Sequence, residues 1–314
     1  MLIVISEFMD PAAVEALASE FAVTHQPALV DDLERLAEAV STADALIVRN
    51  RTQVNAHLLS CARQLRVVGR LGVGLDNIDT AACAVRSIEV IAATGANAVA
   101  VAEYVITTAS MLLRGAYASS LDIAAGRWLR AELSRGRELH GKTLGLIGFG
   151  SIGRVTARLG RAMGMRAVAH DPLLAADDAA WSSDDVARRS LDELLSEADV
   201  ISLHVPLVAG TRGLLDGARI AAIKRGAVII NSSRGGIIDE AALAAALQRG
   251  HLAGAALDVF EHEPLSSGTV LAQCPNLILT PHIAGVTQES NVRVSALIAG
   301  RVAASLRASA AHDR

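Results

Sequence analysis

Three polar side chains of complementary chemistry follow apolar runs in the second half of the chain. Arg234 comes after GAVIIN, Glu263 after LAGAALDV, and His282 closes LILTPH. A guanidinium can hold a carboxylate through paired hydrogen bonds and polarise a carbonyl oxygen. An imidazole can deliver or remove a proton, and a nearby carboxylate fixes its tautomer and stabilises its protonated form. Each residue alone could be a surface charge or a cap, but three at successive strand ends favour a catalytic set that acts on an organic acid.

A glycine motif precedes these residues. GFGSIG, residues 148–153, follows the apolar run TLGLI and opens a run with a helical pattern. In such a turn Gly148 permits the tight bend, Gly150 lets the backbone approach a pyrophosphate, and Gly153 lets the helix lie close to the strand. The N-terminus of that helix offers free N–H groups and a positive dipole end to phosphates. The motif predicts a dinucleotide site, and the alternative is a glycine-rich turn that binds no nucleotide.

The next apolar run ends at Asp171. A carboxylate in this place accepts hydrogen bonds from the hydroxyls of an adenosine ribose and repels a 2′-phosphate. Pro172 and Leu173 follow it, and neither could neutralise such a phosphate. NAD is therefore favoured over NADP, although a solvated carboxylate at the end of a strand would look the same. A hydride carrier beside acid–base residues indicates an oxidoreductase.

Apolar runs and helical patterns alternate along the whole chain. Four strands are predicted in the first part and about six in the second, the number in a complete dinucleotide-binding sheet. The predicted strands are 2–5, 45–48, 66–69, 89–93, 143–148, 166–171, 199–205, 226–231, 252–259 and 277–282. This alternation predicts an α/β fold with two Rossmann-like, doubly wound parallel-sheet domains and a cleft between them.

The same pattern predicts where the two domains begin and end. A substrate domain of flavodoxin type is expected over residues 1–96 plus 287–314, and an NAD-binding Rossmann domain over 97–286. Ligands of open parallel sheets bind beyond the carboxyl ends of the strands, so the polar residues there would face the cleft. Closure of the two domains around both ligands is expected to precede chemistry.

Composition and charge exclude several functional classes. The net charge of −4 argues against a nucleic acid or an anionic membrane as partner. The N-terminus has no basic region typical of a signal peptide, and the most apolar stretch, 98–113, is too short to span a bilayer. The cysteines, Cys61, Cys83 and Cys274, are widely separated, which favours reduced thiols in a cytoplasmic protein and predicts no metal site.

The chain resembles the D-isomer-specific 2-hydroxyacid dehydrogenase family over nearly its whole length, in particular the phosphoglycerate and sulfolactate dehydrogenase-like members. The motifs that carry the resemblance are VRNRTQV (48–54), GRLGVGLDNID (69–79), GANAVAVAEYVI (95–106), GKTLGLIGFGSIGR (141–154), HVPL (204–207), INSSRGGIIDE (230–240), AALDVFEHEP (255–264) and PHIAG (281–285). Motifs of this length in this order are highly specific.

The resemblance implies roles for individual residues. Arg234, Glu263 and His282 would be the catalytic Arg, Glu and His of the family, and Asp258 would contact the nicotinamide amide. The other residues that would line the cofactor are Ser151, Ile152, Asp171, Pro206 and Ser232. Backbone N–H groups of Val73 and Gly74 would bind the substrate carboxylate. The resemblance also implies a homodimer joined through the cofactor domain, with Ala98–Leu113 in the interface.

The resemblance also excludes one kind of regulation and one substrate from the expected function. The chain stops soon after the last predicted helix, so the C-terminal regulatory domain of some phosphoglycerate dehydrogenases, and feedback control of that kind, are not expected. Formate is disfavoured as a substrate because the formate dehydrogenases of the family carry glutamine where this chain has Glu263.

Arginines in the first part of the chain bear on the substrate. Arg49, Arg51 and Arg70 lie at or just beyond predicted strand ends. A second arginine, Arg51, could bind a phosphate or sulfonate at carbon 3 through charge-assisted hydrogen bonds. This predicts a small acid with an anionic tail, such as 3-phosphoglycerate or 3-sulfolactate. The alternative is that these arginines are solvated, or paired with Asp44 or Asp76.

Two other functions stay open at this point. The enzyme could act on glyoxylate, hydroxypyruvate or D-lactate instead. The fold could also serve an NAD-sensing binding protein, as in the transcriptional corepressors of the family, although the sequence offers no partner-binding tail. Turnover of any 2-keto acid at an enzymatic rate would decide for catalysis.

Overall fold

Residues 1–312 are described by the structure, a computed structural model. Residues 313 and 314, the end of the predicted substrate domain, lie outside the described residues. The chain divides into two units: the first comprises Met1–Asn97 and the chain from Val286 onward, and the second comprises Ala98–Gly285.

The first unit contains a five-stranded parallel sheet of order β2-β1-β3-β4-β5. Its strands are β1 (Leu2–Ile5), β2 (Ala22–His25), β3 (Ala45–Val48), β4 (Val67–Arg70) and β5 (Glu89–Ala92). This order is that of flavodoxin-like sheets. The central strand β3 is buried along its whole length, as expected of a strand covered on both faces. The sequence did not predict β2, because this edge strand, AVTH, is half polar and lacks an apolar run.

Four helices follow in the first part of this unit. They are α1 (Pro11–Ala18), α2 (Leu33–Val40), α3 (Ala56–Cys61) and α4 (Thr80–Val85). Each begins after a residue whose side chain accepts a hydrogen bond from a backbone N–H of the first turn, and these caps are Asp10, Asp32, Asn55 and Asp79. Such caps satisfy N–H groups that have no partner inside the helix, and they account for the predicted start of α1 and α4.

The second unit is built on a seven-stranded parallel sheet of order β12-β11-β10-β9-β6-β7-β8. The strands are β6 (Thr143–Ile147), β7 (Arg166–His170), β8 (Ala187–Arg188), β9 (Val200–Leu203), β10 (Val228–Asn231), β11 (Gly254–Leu257) and β12 (Leu277–Leu279). Counted from β6, this is the dinucleotide-binding order 3-2-1-4-5-6 with one further strand. The prediction of six strands missed β8, which has only two residues and lies at the sheet edge.

Eight α-helices of this unit lie among the described residues. They are α5 (Ala98–Arg114), α6 (Ser120–Ala124), α7 (Arg130–Leu133), α8 (Ser151–Ala162), α9 (Ala179–Ser183), α10 (Leu191–Glu197), α11 (Gly217–Ala222) and α12 (Glu240–Gln248). Of these, α5, α8 and α10 are those that contact the sheet most. The long helix α5 packs against α8 and also contacts β10 and β11. Its buried residues include Val101, Val105, Ala109 and Leu112, which share one core with Leu144 of β6.

The last helix, α13 (Gln288–His312), belongs to the first unit. It packs against α1 and β4, and its buried side chains Val294, Ile298, Val302 and Leu306 join the core of that unit. None of the helices among residues 1–312 combines the length and the apolar character that crossing a membrane requires. The predicted α/β fold with two doubly wound parallel sheets is confirmed.

Candidate active site

The glycine turn lies between β6 and α8. Gly148 has a φ of 94°, and a Cβ there would lie 2.5 Å from the carbonyl oxygen of His204. A Cβ on Gly153 would lie 2.4 Å from the oxygen of Gly148, so the first turn of α8 packs closely on the strand end. By contrast, apart from Gly150 itself and its two chain neighbours, no atom of the described residues lies within 4 Å of a Cβ built on Gly150. Backbone packing therefore requires glycine at 148 and 153, whereas space at 150 is open to a ligand.

The start of α8 and the order of the strands favour this place for phosphates. Ser151 and Ile152 are the first residues of α8, where backbone N–H groups have no partner within the helix. Strands β6 and β9 are neighbours at the point where the strand order reverses. Ligands of such sheets bind in the crevice outside the carboxyl ends at this point.

Asp171 follows β7 and holds the glycine turn. Its Oδ2 accepts a hydrogen bond from the backbone N–H of Phe149 at 2.8 Å, and its Oδ1 accepts one from Leu173 at 2.9 Å. A carboxylate offers about four acceptor positions, so each oxygen can accept a further hydrogen bond. The half-buried carboxylate is thus fixed beside the turn and can still accept from ribose hydroxyls.

Two further residues predicted to line the cofactor follow the neighbouring strands β9 and β10. Pro206 is exposed, and the buried Oγ of Ser232 has no hydrogen-bond partner among the described residues. Buried hydroxyl groups in proteins almost always have a partner. The orphaned hydroxyl, the open space at Gly150 and the fixed carboxylate of Asp171 together fit a bound dinucleotide.

His204 is a residue of this region that the sequence reading did not consider. It follows β9, and its Nε2 lies 3.0 Å from the Oγ of the buried Ser202. Burial lowers the pKa of His204 from 6.5 to about 4, so its imidazole is neutral at neutral pH. The only signal was a histidine directly after an apolar strand, two residues before the proline of HVPL, and this position does not reveal burial.

The structure joins two of the predicted catalytic residues directly. Nδ1 of His282 lies 2.8 Å from Oε2 of Glu263, and the two side chains are 44% and 37% exposed. The second carboxylate oxygen, Oε1, accepts a hydrogen bond from the backbone N–H of Phe260 at 3.1 Å. No hydrogen bond to Nε2 of His282 is formed by residues 1–312, so this nitrogen is the one that can exchange a proton with a ligand.

The turn that carries Arg234 is shaped by Asn231 at the end of β10. The Asn231 Oδ1 accepts from the backbone N–H and the hydroxyl of Ser233, at 3.0 and 2.7 Å, and its Nδ2 donates to the Arg234 carbonyl at 2.9 Å. A Cβ on Gly235 would lie 1.8 Å from the carbonyl oxygen of Phe260. The Arg234 turn therefore lies directly against the segment that holds Glu263. The sequence reading missed Asn231, a polar residue at the end of an apolar strand.

Asp258 has no exposed surface and organises the chain around His282. Its carboxylate accepts hydrogen bonds from the Thr280 hydroxyl at 2.6 Å and from the N–H groups of Ile283 and Ala284 at 2.8 and 2.7 Å. Its carbonyl oxygen accepts from the His282 N–H at 2.8 Å. This positioning function was not anticipated, and the contact of Asp258 with a nicotinamide amide stays a prediction.

In the first unit a buried glutamate holds the arginine loop after β3. Oε1 of Glu7 accepts hydrogen bonds from the N–H groups of Arg49 and Thr52, at 2.8 and 3.0 Å, and Oε2 accepts from Arg51 at 3.1 Å. Glu7 is only 5% exposed. It was missed because its partners lie more than forty positions away in the sequence, although an acid two positions after a buried strand is a usable signal.

The arginine side chains of this unit differ in their surroundings. Arg49 donates to Oδ1 of Asn291 at 3.0 Å, its guanidinium lies 5.9 Å from the Phe8 ring centre, and burial lowers its pKa, against the effect of Glu7. Arg51 forms an ion pair with Asp31 in which both side chains are about 60% exposed. Arg51 therefore pairs with Asp31, an acid that the sequence had not suggested as its partner.

The remaining predicted substrate residues follow β4. Arg70, the last residue of that strand, donates from Nη1 to the Leu71 carbonyl at 3.1 Å. Val73 and Gly74 lie in the half-buried loop that comes next. The described residues contain no group of three or more His, Cys, Asp or Glu side chains that could hold a metal ion.

Comparison with known proteins gives a consistent result. The family model described as "D-isomer specific 2-hydroxyacid dehydrogenase, NAD binding domain" matches residues 106–284. The (S)-sulfolactate dehydrogenase of Chromohalobacter salexigens is 55% identical over 93% of this chain and 94% of that enzyme. The D-3-phosphoglycerate dehydrogenase of Bacillus subtilis is 41% identical over 84% of this chain, which spans about half (50%) of that longer protein.

A solved structure also matches the chain almost completely. The D-lactate dehydrogenase of Aquifex aeolicus, complexed with NAD and lactic acid, aligns with a TM-score of 0.80 and 28% identity. The alignment covers 98% of this chain and 96% of that one.

Proposed function

The chain belongs to the D-isomer-specific 2-hydroxyacid dehydrogenase family and is an NAD-dependent oxidoreductase, and from this premise we propose that it interconverts a small 2-hydroxy acid bearing an anionic group on carbon 3 and the matching 2-keto acid. The observation that carries the proposal is the 2.8 Å hydrogen bond between His282 and Glu263, which prepares an acid–base group for this chemistry. Sulfolactate is the first candidate and 3-phosphoglycerate the second. The similarity to (S)-sulfolactate dehydrogenase over nearly both chains supports this order.

The (S) descriptor of that substrate agrees with specificity for D isomers. In sulfolactate the carbon that bears sulfur outranks the carboxyl carbon in priority, whereas in lactate the carboxyl carbon outranks the methyl group. The D configuration is therefore named S in sulfolactate and R in lactate. We propose that this chain acts on the D configuration.

The proton is handled by His282. In the oxidation direction its Nε2 accepts the proton of the substrate hydroxyl, and in reduction it returns that proton to the alkoxide oxygen. The Nδ1–Glu263 bond keeps Nε2 as the free nitrogen of the neutral ring and stabilises the imidazolium that forms. Arg234 binds the substrate carboxylate and polarises the oxygen at carbon 2.

The residues around the glycine turn would hold NAD, which supplies the hydride acceptor or donor when bound. We propose that the N–H groups of Ser151 and Ile152 bind the pyrophosphate above Gly150. Asp171 accepts from the ribose hydroxyls, and the Ser232 hydroxyl, which has no partner among residues 1–312, bonds to the cofactor. Pro206 and Asp258 are assigned to the same site by the family resemblance.

Arg51 is the proposed partner of the anionic group on carbon 3, and the N–H groups of Val73 and Gly74 are proposed to bind the substrate carboxylate. The Arg51–Asp31 pair is exposed on both sides, and exposed ion pairs are weak. A sulfonate or phosphate can therefore replace Asp31 at little cost.

The test is a comparison of keto acids. Initial rates with NADH and NADPH would be measured for sulfopyruvate, phosphohydroxypyruvate, hydroxypyruvate, glyoxylate and pyruvate. We expect the highest kcat/KM for sulfopyruvate with NADH. An equal or higher value for glyoxylate or pyruvate would refute recognition of an anionic tail, and absence of turnover with every acid would overturn the proposal as a whole.

We also propose a homodimer joined through the second unit and a cytoplasmic location. Most apolar side chains of Ala98–Leu113 are buried within their own unit, so we assign the contact to the exposed part of α5 together with the segment that follows it. That segment exposes the apolar side chains of Tyr117, Leu121, Ile123 and Trp128. An exposed apolar cluster supports an interface, and three free cysteines support a reducing compartment.

Sedimentation analysis would test the dimer. We expect the wild-type chain to sediment as a dimer and Trp128→Glu to sediment as a monomer, because the substitution would bury a charge in the contact. A monomeric wild-type protein would refute this assembly.

A further inference from the structure

A chain of three polar side chains connects helix α5 with the backbone of His282. The hydroxyl of Tyr104, on α5, lies 2.7 Å from Oγ1 of Thr280. The same Oγ1 lies 2.6 Å from Oδ1 of Asp258. Tyr104 and Thr280 are half-buried, and Asp258 is fully buried, so water competes little for these bonds.

The direction of these hydrogen bonds follows from the groups themselves. A carboxylate only accepts hydrogen bonds, and a threonine hydroxyl has a single proton. Thr280 therefore donates to Asp258 and accepts from Tyr104. Burial raises the pKa of Tyr104 and the Asp258 charge raises it further, while the bond to Thr280 opposes both, so the phenol retains the proton it donates.

Asp258 uses its remaining acceptors on the residues around His282. Its carbonyl oxygen accepts from the His282 N–H, and its carboxylate accepts from the next two N–H groups, those of Ile283 and Ala284. His282 itself has a φ of 56°, a left-handed conformation that is uncommon for residues other than glycine. Such conformations persist only where the surroundings hold them, and here one buried residue, Asp258, accepts from His282 through its backbone carbonyl and from the next two residues through its carboxylate.

We propose that Tyr104 and Thr280 are positioning residues for the reaction: by fixing Asp258 they hold the left-handed backbone of His282 and so align its ring with Glu263. The inference rests on the catalytic role proposed for His282. Without the Thr280 hydroxyl, Oδ1 of Asp258 loses one of its two partners, and the Tyr104 hydroxyl loses its acceptor. The Asp258 carboxylate can then move, and the backbone of His282 shifts with it, although neither Tyr104 nor Thr280 touches the His282 ring.

Substitutions at position 280 separate the hydroxyl from the shape of the side chain. Thr280→Val removes the hydroxyl with little change in shape, and Thr280→Ser keeps it. The matched control is Thr108→Val, because Thr108 is also buried in this unit but its hydroxyl, among residues 1–312, bonds to carbonyls of its own helix, those of Tyr104 and Val105.

We expect Thr280→Val to lower kcat about tenfold, with KM values for keto acid and NADH changed less than about twofold, because misalignment of a reacting group acts on the chemical step. Thr280→Ser should restore kcat to within about twofold of wild type, and Thr108→Val should equal wild type. Tyr104→Phe, which leaves Thr280 and Asp258 bonded, should lower kcat by about threefold.

A spectroscopic measurement distinguishes positioning from general loss of stability. In protein labelled with ¹⁵N-histidine, the ring signals of His282 are identified by their absence in His282→Asn. We expect these signals to shift in Thr280→Val and Tyr104→Phe, and to stay in place in Thr280→Ser and Thr108→Val. If Thr280→Val does not fold, Tyr104→Phe carries the same test.

The outcomes also separate this inference from the proposed function. Wild-type kcat and unmoved His282 signals in Thr280→Val or Tyr104→Phe would overturn the positioning role while leaving the reaction intact. Undiminished turnover in His282→Asn would instead overturn the catalytic role of His282 itself.

Discussion

Two loops at the carboxyl ends of strands are each held by a buried carboxylate, but to different degrees. Asp258 holds the backbone around His282, and Glu7 holds the backbone of the loop with Arg49 and Arg51. The His282 side chain is held as well, by Glu263, whereas the Arg51 side chain lies in an exposed pair with Asp31. Both groups thus have a fixed backbone, but the side-chain partner of the proposed chemical group is less exposed than that of the proposed specificity group.

The energies of these contacts indicate which of the two loops can be changed without loss of stability. A hydrogen bond to a charged group contributes about 1.5–3 kcal/mol where it is shielded from water, and an exposed ion pair contributes about 0–1 kcal/mol. Replacing Arg51 therefore costs little stability, while disturbing the Asp258 contacts costs much. Substrate preference can change at such a loop without loss of the proton-transfer chemistry.

The largest effect is expected at the fully held loop. His282→Asn should lower kcat by about a thousandfold, because it removes the group that exchanges the proton. NADH binding, measured by fluorescence titration, should change less than about twofold, since the glycine turn is separate from this residue. A kcat within a factor of ten of wild type would show that His282 is not the group that exchanges the proton.

The exposed arginine should affect one class of substrates only. Arg51→Ala should lower kcat/KM about ten- to a hundredfold for sulfopyruvate or phosphohydroxypyruvate, the value of one charge-assisted hydrogen bond pair. The rate with glyoxylate should not change. Asp31→Asn is the matched control, and it should leave or improve kcat/KM because it releases Arg51. An unchanged kcat/KM for every tailed acid in Arg51→Ala would contradict the assignment.

A smaller effect is expected when the backbone of the arginine loop is loosened. Glu7→Gln keeps one acceptor oxygen but turns an NH₂ group toward an N–H donor, so one of the three backbone contacts is lost. KM for the tailed acid should rise about three- to tenfold with kcat unchanged, and Tm should fall. Glu15→Gln, an exposed acid on α1, is the control and should match wild type. Equal kinetics for both variants would show that Glu7 serves stability alone.

The smallest effect concerns pH. Burial lowers the pKa of His204 to about 4, so the folded chain favours the neutral ring. Above pH 6.5 the ring is neutral in both the folded and the unfolded chain, and His204 costs no stability. As the pH falls from 6.5 toward 4, the unfolded chain binds a proton at this histidine and the folded chain does not, so the free energy of unfolding decreases. His204→Asn should reduce this loss by about 1–2 kcal/mol at pH 5, measured as Tm at pH 7 and 5. His57→Asn, at an exposed position of the first unit, is the control and should lose as much stability at pH 5 as the wild type does. The same acid loss in both variants would contradict burial as the cause.

Much of the fold follows from local pattern. The strands β1, β3, β6, β9, β10 and β11 are short apolar runs that are almost entirely buried, and their alternation with helices is sufficient to predict parallel sheets. Strands β2 and β8 lie at sheet edges, where burial on both faces is not required, so they carry no such run. The sequence also allowed the glycine turn and the residues Arg234, Glu263 and His282 to be singled out as candidates, because chemistry restricts which residue types can serve, and their roles stay predictions.

The contacts that hold the candidate site residues in place could be identified only from the tertiary structure. Tyr104 meets Thr280 across 176 positions, Glu7 meets Arg49 across 42, and Arg51 pairs with Asp31 rather than with the acids that sequence suggested. A run of residue types reports which side chains are buried and which are polar, since burial follows local periodicity. Which donor meets which acceptor depends on strand order, register and helix packing, and these bring together residues that no local pattern relates.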